Sequence, residues 1–322
     1  MNKHLLSRRG FAARCVALGL SLPAISAVRA PQARAEVPAA NSAVKTAART
    51  VTFPDGTRVP PLGQGCWHLG QGRHPSADEE DALRTGIALG MTLIDTSGNY
   101  GNGRSEQLIA HVLAGQRDRV YLVSKVEGNQ VSGDGIARAC AASLERLGTE
   151  YLDLYLLHWP VPSAQFSELV AGFEQLRAAR KIRAWGVSNF DVGQMEDLFG
   201  VPDGQRCATN QVAYSLNNRR IERDVLPWCQ QHKVPVMAYS PLGGDNHLVV
   251  ADRTLARIGA VYGCSPAAVA LSWVIRSGDV IAIPESGSPP HVKQNAVALS
   301  LALTSRDLRT IDEAYPGPAS AS

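Results

Sequence analysis

Four side chains that could together protonate an oxygen atom occur near the ends of apolar stretches of this sequence. Asp95 ends one stretch, Tyr100 follows in the segment TSGNYGNG, and Lys125 and His158 lie at the ends of YLVSKV and LDLYLLHW. A phenol has a pKa near 10, and a nearby lysine ammonium stabilises the phenolate that remains after proton donation. A carboxylate can hold that ammonium, and a neutral histidine can orient a carbonyl oxygen. The set therefore predicts general acid chemistry on a carbonyl compound.

Each of the four residues also has an ordinary structural explanation. Asp95 could cap the turn that follows it, and Tyr100 could be a simple loop aromatic. Lys125 could be a surface residue, and His158 could be a core histidine with satisfied hydrogen bonds. The chemical interpretation therefore depends on whether the fold brings the four together.

Eight short apolar stretches alternate with segments of helical periodicity and predict the elements that position these side chains. The predicted strands are residues 62–67, 92–96, 120–126, 152–158, 182–188, 208–212, 234–240 and 280–284. The predicted helices are residues 78–89, 105–113, 135–147, 168–179, 192–199, 221–232, 249–261, 266–276 and 292–299. Strands that are apolar on both faces and alternate with helices are typical of a parallel sheet covered by helices.

Eight such repeats predict an α/β fold of the closed (β/α)8 TIM barrel type. A hairpin around Pro54-Asp55-Gly56 should precede the barrel, and an extra helix at residues 305–314 should pack outside it. Active sites of such barrels lie at the carboxyl ends of the strands. The strand ends carry, besides the four residues above, Asn189, Gln211, Tyr239 and Ser286.

The first 35 residues form a segment of different composition. Ser7-Arg8-Arg9-Gly10-Phe11 is a twin-arginine pattern, residues 15–28 are mostly apolar, and Ala33-Arg34-Ala35 offers a cleavage site. The apolar part is too short for a stable membrane span. We interpret residues 1–35 as a twin-arginine signal peptide, 36–49 as a linker and 50–322 as one barrel domain. Export to the periplasm is expected, with a cytoplasmic location if the leader is not used; an amphipathic or disordered terminus is the alternative.

Charge and cysteine content exclude other classes of function. Six of the 32 basic residues and none of the 29 acidic ones precede Glu36, so the rest of the chain has 26 basic and 29 acidic residues. The chain from Glu36 onward is therefore weakly acidic and has no cluster of basic residues, which argues against a nucleic-acid partner. The cysteines show neither a disulfide framework nor metal-site spacing, and no metal is expected. We expect a monomer, although the sequence does not determine the oligomeric state.

Seven segments in order resemble the aldo-keto reductase family. They are LIDTSGNYGNGRSEQLI, LVSKV, LLHWP, GVSNF, NQVAYS, AYSPL and IPESGSPPHVKQN, and the resemblance runs from about Val51 to Tyr315. It implies a catalytic tetrad of Asp95, Tyr100, Lys125 and His158. It also implies that Trp67 and Trp159 form aromatic walls of a substrate pocket, although both could simply be core residues.

The same resemblance implies the residues that hold a nicotinamide cofactor. Ser188, Asn189 and Gln211 would bind the carboxamide, and Tyr239 would stack on the ring. Further contacts to the pyrophosphate, adenosine phosphate and adenine would come from Ser240, Leu242, Glu285, Ser286, Ser288, His291, Gln294 and Asn295. No GxGxxG fingerprint is present, which argues against a two-domain Rossmann dehydrogenase.

Two positions depart from the family pattern. Glu285 stands where a lysine is common, and His291 stands where an arginine often binds the 2′-phosphate of NADPH. We therefore expect relaxed use of NADPH and NADH. The expected activity is an NAD(P)H-dependent reduction of aldehydes or ketones (EC 1.1.1.-) on a small-molecule carbonyl substrate. The alternatives are an alcohol or sugar dehydrogenase working in the oxidative direction and a non-catalytic redox-sensing subunit that binds the cofactor.

Overall fold

The computed structural model describes residues 49–244 and 248–318, which belong to one compact unit. The leader, residues 1–35, and nearly all of the linker lie outside the described residues. Among the described residues no single helix is long and apolar enough to cross a membrane, although the bent helix pair Arg253–Tyr262 and Pro266–Val274 reaches the required length and composition.

Eight parallel strands form the central sheet, each beside its neighbour in the chain. An antiparallel hairpin of β1 (Val51–Thr52) and β2 (Arg58–Val59) precedes them, as the Pro-Asp-Gly turn predicts. The sheet strands are β3 (Gln64–Gly65), β4 (Leu93–Asp95), β5 (Tyr121–Val126), β6 (Leu152–Leu157), β7 (Ile182–Ser188), β8 (Asn210–Ala213), β9 (Val236–Tyr239) and β10 (Val280–Ala282).

Backbone hydrogen bonds between the first and last strands close this sheet into a barrel. The amide of Gly63 donates to the carbonyl of Ala282 over 2.8 Å, and that of Gly65 donates to Pro284 over 3.0 Å. The amide of Ala282 donates in turn to Pro61 over 2.8 Å. The (β/α)8 prediction is therefore confirmed.

Ten α-helices surround the barrel in the described part of the chain. They are α1 (Ser76–Ala88), α2 (Arg104–Leu113), α3 (Gly135–Leu147), α4 (Phe166–Ala178), α5 (Val192–Phe199), α6 (Val225–Gln231), α7 (Arg253–Tyr262), α8 (Pro266–Val274), α9 (Pro289–Ala296) and α10 (Ser305–Ala314). The extra helix α10 packs on α7, where the Tyr262 hydroxyl donates to Asp307 over 2.5 Å.

Two helices begin later than the hydrophobic periodicity predicts, and in both cases an aspartate is the cause. Asp224 leaves the helical conformation and accepts a hydrogen bond from the amide of Val225, so α6 starts there instead of at Ile221. Asp252 caps α7 by accepting from the amide of Leu255 over 2.8 Å. A side chain that competes for backbone donors favours a helix start over a helix interior.

The hairpin covers one end of the barrel and leaves the other end to the loops. Val51, Phe53 and Val59 pack with inward-facing barrel residues such as Leu93. The ring of Phe53 stacks on Tyr121, the first residue of β5, with 5.4 Å between ring centroids. In the described part of the chain the hairpin therefore plugs the amino-terminal end of the barrel, and the cavity lies at the carboxyl ends of the strands.

The five cysteines of the described residues are free thiols, four of them buried. Burial raises the pKa of Cys140, Cys207 and Cys229 to about 12. A thiol reacts as its thiolate, so these three cysteines are protonated and unreactive at neutral pH.

Candidate active site

Lys125 and Asp95 form a buried ion pair at the carboxyl ends of β5 and β4. The ammonium of Lys125 donates to Asp95 Oδ2 over 2.7 Å and to the carbonyl of Thr96 over 2.8 Å. The Lys125 side chain is fully buried and that of Asp95 is 3% exposed. Burial alone would lower the pKa of Lys125, but Asp95 and the nearby Tyr100 outweigh it and raise that pKa above its ordinary value. The site therefore holds a permanent cation.

The third donor bond of Lys125 reaches the predicted proton donor. Its ammonium lies 3.0 Å from the hydroxyl oxygen of Tyr100. Burial raises the pKa of Tyr100, and the opposing effect of Lys125 is the smaller one. Tyr100 therefore keeps its proton at neutral pH. The ammonium of Lys125 lies next to it and can stabilise the phenolate once the proton has been donated.

A left-handed turn places Tyr100 over the ammonium. The residues after it have positive φ, 58° at Gly101 and 87° at Gly103, and a Cβ at Gly103 would lie 2.5 Å from the Arg146 side chain. Glycine adopts this conformation at little cost and leaves room for the arginine. Arg146 is itself held by the buried carboxylate of Glu106 over 2.6 Å. The glycine-rich segment is therefore a structural requirement for the position of the phenol.

His158 lies beside Tyr100 and has a carboxylate partner of its own. The two rings meet edge to face with their centroids 5.7 Å apart. His158 Nδ1 lies 2.5 Å from Glu127 Oε1, and Glu127 directly follows β5. The sequence interpretation missed Glu127, although its position at a strand end, two residues after Lys125, is the signal that identified the other residues.

A chain of hydrogen bonds connects the ion pair with the residues expected to bind the carboxamide. The Gln211 side-chain amide donates to Asp95 Oδ1 over 2.7 Å, which leaves its own oxygen to accept. Ser188 Oγ donates to the Gln211 carbonyl over 2.8 Å, and Asn189 Nδ2 donates to Ser188 Oγ over 3.0 Å. The Tyr239 hydroxyl completes the chain by donating to Asn189 Oδ1 over 3.0 Å. These groups are therefore fixed relative to the proton donor.

One cavity of about 980 Å³ runs over these residues. Trp67 and Trp159, each 53% exposed, stand at its rim, as walls of a pocket and not as core residues. The predicted site residues that line it are Trp67, Asp95, Tyr100, His158, Trp159, Ser188, Asn189, Gln211, Tyr239, Ser240, Leu242, Glu285, Ser286, His291, Gln294 and Asn295. Lys125 lies beneath this surface, and Ser288 is the amino-terminal cap residue of α9, outside the cavity lining.

Glu285 lines the cavity but is already bound to another residue. Its Oε2 accepts from the amide of His68 over 2.9 Å, and its Oε1 lies 2.9 Å from His68 Nδ1. The ring of His68 stacks on Trp67 with 4.3 Å between centroids. Glu285 therefore anchors the loop that carries Trp67, a contact the sequence could not indicate because 217 residues separate the partners.

The far end of the cavity holds both acids and bases. His74, Arg73 and His291 line it together with Glu79, whose Oε1 is buried without a hydrogen-bond partner. Helix α9 begins here, but its first two residues are prolines, which have no amide N–H for a phosphate. This end therefore offers a phosphate side chains of both charges, and the first two residues of α9 add no amide donor.

The donor and acceptor set of the inner cavity fits a nicotinamide. A carboxamide offers two N–H donors and one oxygen acceptor. Gln211 has a free acceptor oxygen, Asn189 carries both kinds of group, and the Tyr239 ring borders the same space. Within the described residues no group of three or more histidine, cysteine or acidic side chains could hold a metal ion.

Comparisons with known proteins agree on one family. A model described as the Aldo/keto reductase family matches residues 61–316. Methylglyoxal reductase YeaE of Escherichia coli (strain K12) is 45% identical over 273 residues, 84% of this chain and 96% of that protein. The 9,11-endoperoxide prostaglandin H2 reductase of Trypanosoma cruzi (strain CL Brener) is 32% identical over 264 residues, 82% of this chain and 90% of that protein. The solved aldo/keto reductase of Klebsiella pneumoniae in complex with NADP and acetate is 43% identical with a TM-score of 0.82, covering 85% of this chain and 98% of its own.

Proposed function

The chain belongs to the aldo/keto reductase family, and we propose that its site reduces small aldehydes and ketones, with Tyr100 as the proton donor and 2-oxoaldehydes as the preferred class. As a member of this family it is an NAD(P)H-dependent oxidoreductase of carbonyl and alcohol groups (EC 1.1.1.-).

One observation carries the assignment of the proton donor. The ammonium of Lys125 contacts both Asp95 and the Tyr100 hydroxyl while it is fully buried. Tyr100 can donate its proton to the oxygen of a carbonyl that is being reduced, and Lys125 stabilises the phenolate that remains. Asp95 keeps Lys125 in place and balances its charge.

The inner cavity would hold the nicotinamide through Ser188, Asn189 and Gln211, with the Tyr239 ring beside it. When bound, the cofactor supplies the hydride for the carbonyl carbon. The side chains of this protein then orient the carbonyl, exclude water and deliver the proton. Because Gln211 also donates to Asp95, the carboxamide site and the proton donor share one hydrogen-bond network.

The protonation state of Tyr100 supports the reductive direction. Burial raises its pKa above the ordinary value near 10, so the phenol form prevails at neutral pH. Reduction uses that form as an acid. Alcohol oxidation would need the phenolate as a base, which forms only at higher pH.

The substrate class rests on the shape of the entrance and on the named relative. Trp67 and Trp159 flank the site with large flat surfaces. The relative that shares 45% of its residues over most of both chains is a methylglyoxal reductase. Two aromatic walls beside the proton donor suit a small planar carbonyl compound such as a 2-oxoaldehyde.

Steady-state assays with both reduced cofactors test this proposal. We expect methylglyoxal to have a higher kcat/KM than a simple aldehyde of the same size. We also expect the kcat/KM ratio for NADPH over NADH to stay within about tenfold, or about 1.4 kcal/mol. The absence of turnover with every carbonyl would favour a redox-sensing subunit, and turnover with alcohols alone would favour a dehydrogenase.

A separate proposal concerns residues 1–35. We propose that the Arg8-Arg9 pair directs export of the folded protein to the periplasm, with cleavage after Ala35. The support is the leader sequence alone. A folded passenger could carry its cofactor with it, which matters because nicotinamide pools are cytoplasmic.

Cell fractionation of a doubly substituted protein tests the leader. Arg8→Lys with Arg9→Lys should leave the protein uncleaved in the cytoplasm with unchanged reductase activity. Arg14→Lys is the matched control, since it changes another arginine of the same leader and should not affect export. Finding the unsubstituted protein uncleaved in the cytoplasm would refute the proposal.

A further inference from the structure

A buried ionic cluster lies between the barrel and its helices, beneath the turn that carries Tyr100. The carboxylate of Glu106, on α2, is fully buried. It accepts a hydrogen bond from Arg146 Nε on α3 over 2.6 Å and another from Ser124 Oγ on β5 over 2.6 Å. A terminal nitrogen of Arg146 donates in addition to Ser143 Oγ over 3.2 Å. The carboxylate therefore joins two helices to one strand and fixes the orientation of the Arg146 guanidinium.

The Arg146 side chain contacts the turn on both sides of Tyr100. A Cβ added at Gly98 would lie 2.8 Å from a terminal guanidinium nitrogen. A Cβ added at Gly103 would lie 2.5 Å from Cδ and 2.8 Å from Nε of the same arginine. Because both positions are glycines, the arginine can lie directly against the backbone of the turn. It therefore supports the segment two residues before the phenol and three residues after it.

The conformation of this turn needs support from outside. Residues 101–103 all have positive φ, between 57° and 87°. One of them is Asn102, an L residue for which the left-handed conformation carries a steric cost. A strained backbone of this kind persists where the surrounding structure holds it. The contacts of Arg146 provide such support.

The cluster reaches the proton donor without touching the cavity. Ser124 and Lys125 are successive residues of β5, and successive side chains of a strand point to opposite faces. Lys125 contacts Tyr100 inside the barrel, whereas Ser124 contacts Glu106 on the helix side. Neither Glu106 nor Arg146 lines the cavity in the described part of the chain. Any effect of Arg146 on the reaction must therefore pass through the residues of the turn.

We propose that Arg146 is a positioning residue for the proton donor. Held by Glu106, it fixes the turn of residues 98–103, so that the Tyr100 hydroxyl stays 3.0 Å from Lys125 and within reach of the substrate oxygen. This inference rests on the proposed carbonyl reduction. A general acid must lie within hydrogen-bonding distance of the atom that it protonates. A displacement of about 1 Å can lower the rate by about 10²-fold.

A double-mutant cycle with Arg146→Lys separates positioning from a general structural role. The lysine keeps a cation for Glu106 but lacks the planar guanidinium that contacts Gly98 and Gly103. We expect kcat to fall about tenfold or more, while KM for the cofactor stays unchanged. In a Tyr100→Phe background the same substitution should have no further effect, because the residue through which it acts is already disabled. Equal falls in both backgrounds would overturn the proposal.

Two further variants control for charge and for the helix. Arg138→Lys changes an arginine of the same helix α3, one that pairs with Asp134 on the exposed surface, and should keep the wild-type kcat. Arg146→Met combined with Glu106→Gln removes both charges, so no unpaired carboxylate is left buried. This pair should lose at least as much kcat as Arg146→Lys. A wild-type kcat in the pair would overturn the proposal.

Amide hydrogen exchange gives a readout that does not depend on turnover. In Arg146→Lys, a peptide that covers residues 97–103 should exchange faster than in the wild type, while peptides from β5 and β6 should exchange at the wild-type rate. A fall in kcat without faster exchange in the turn would overturn the inference, as would faster exchange throughout the barrel. Failure of the proposed function would appear separately, as wild-type protein with a protected turn but no carbonyl turnover.

Discussion

Replacing Tyr100 by phenylalanine should lower kcat by about 10²- to 10⁴-fold, the range that general acid catalysis contributes. The substitution removes one oxygen atom, whose hydrogen-bond partner in the protein is Lys125 at 3.0 Å. The ion pair of Lys125 with Asp95 at 2.7 Å remains, so the fold and the carboxamide residues should be unaffected. Steady-state rates and a cofactor-binding titration on the same sample measure the two effects.

Tyr151→Phe is the matched control for this variant. The ring of Tyr151 lies between Arg117 and Arg183, 4.0 Å and 4.4 Å from their guanidinium carbons, at the start of β6 and away from the cavity. It should keep the wild-type kcat. Turnover of Tyr100→Phe within about threefold of wild type, well below the effect of general acid catalysis, would remove Tyr100 from the proton-donor role.

Lys125→Met should abolish measurable turnover and also destabilise the fold. The methionine fills most of the space but leaves the buried carboxylate of Asp95 with Gln211 as its remaining side-chain donor. Removing one partner of a buried ion pair costs about 3–5 kcal/mol of unfolding free energy. Chemical denaturation followed by circular dichroism measures this loss, and steady-state kinetics measures the loss of kcat.

A second substitution separates the two effects of Lys125. Adding Asp95→Asn to Lys125→Met removes the unpaired charge, so the unfolding free energy should recover by about 2 kcal/mol or more. The activity should not recover, since nothing then stabilises the phenolate of Tyr100. Recovery of both quantities together would mean that Lys125 acts through folding alone.

The unfolding free energy that the Lys125–Asp95 ion pair contributes should not change as the pH rises from neutral into the mildly alkaline range. The pKa of folded Lys125 lies above its ordinary value, despite the opposing effect of burial, because of Asp95 and Tyr100. A raised lysine pKa gives stability that is fully present below the unfolded pKa of about 10.4 and is lost as the pH rises through the folded value. The stability difference between wild type and Lys125→Met should therefore stay constant from neutral pH to about pH 9.

The sequence was sufficient to predict the barrel and the positions of the reacting groups because both depend on local patterns. A buried parallel strand is a short apolar run, and its end is marked by the first polar residues. Asp95, Lys125 and His158 were located in this way, and the structure brings them to one end of one barrel.

The pairings between distant segments could not be predicted from local patterns. Glu285, expected among the cofactor contacts, lines the cavity and also pairs with His68, 217 residues away in the chain. Glu127 joins His158 only because β5 and β6 are neighbours in register, with Val126 opposite Leu157. The starts of the helices at Val225 and Arg253 were predicted too early. The apolar periodicity continues through the preceding aspartate in each case, but that aspartate caps the helix and is not part of it.

The most direct test of carbonyl reduction follows a labelled hydride in the wild-type protein. The protein is mixed with methylglyoxal and a reduced nicotinamide cofactor in which both hydrogens of the hydride-donating carbon are deuterium, and the product is examined by mass spectrometry. We expect one deuterium on the former carbonyl carbon for each cofactor molecule oxidised. An alcohol product without deuterium, or oxidised cofactor without any alcohol, would contradict carbonyl reduction at this site.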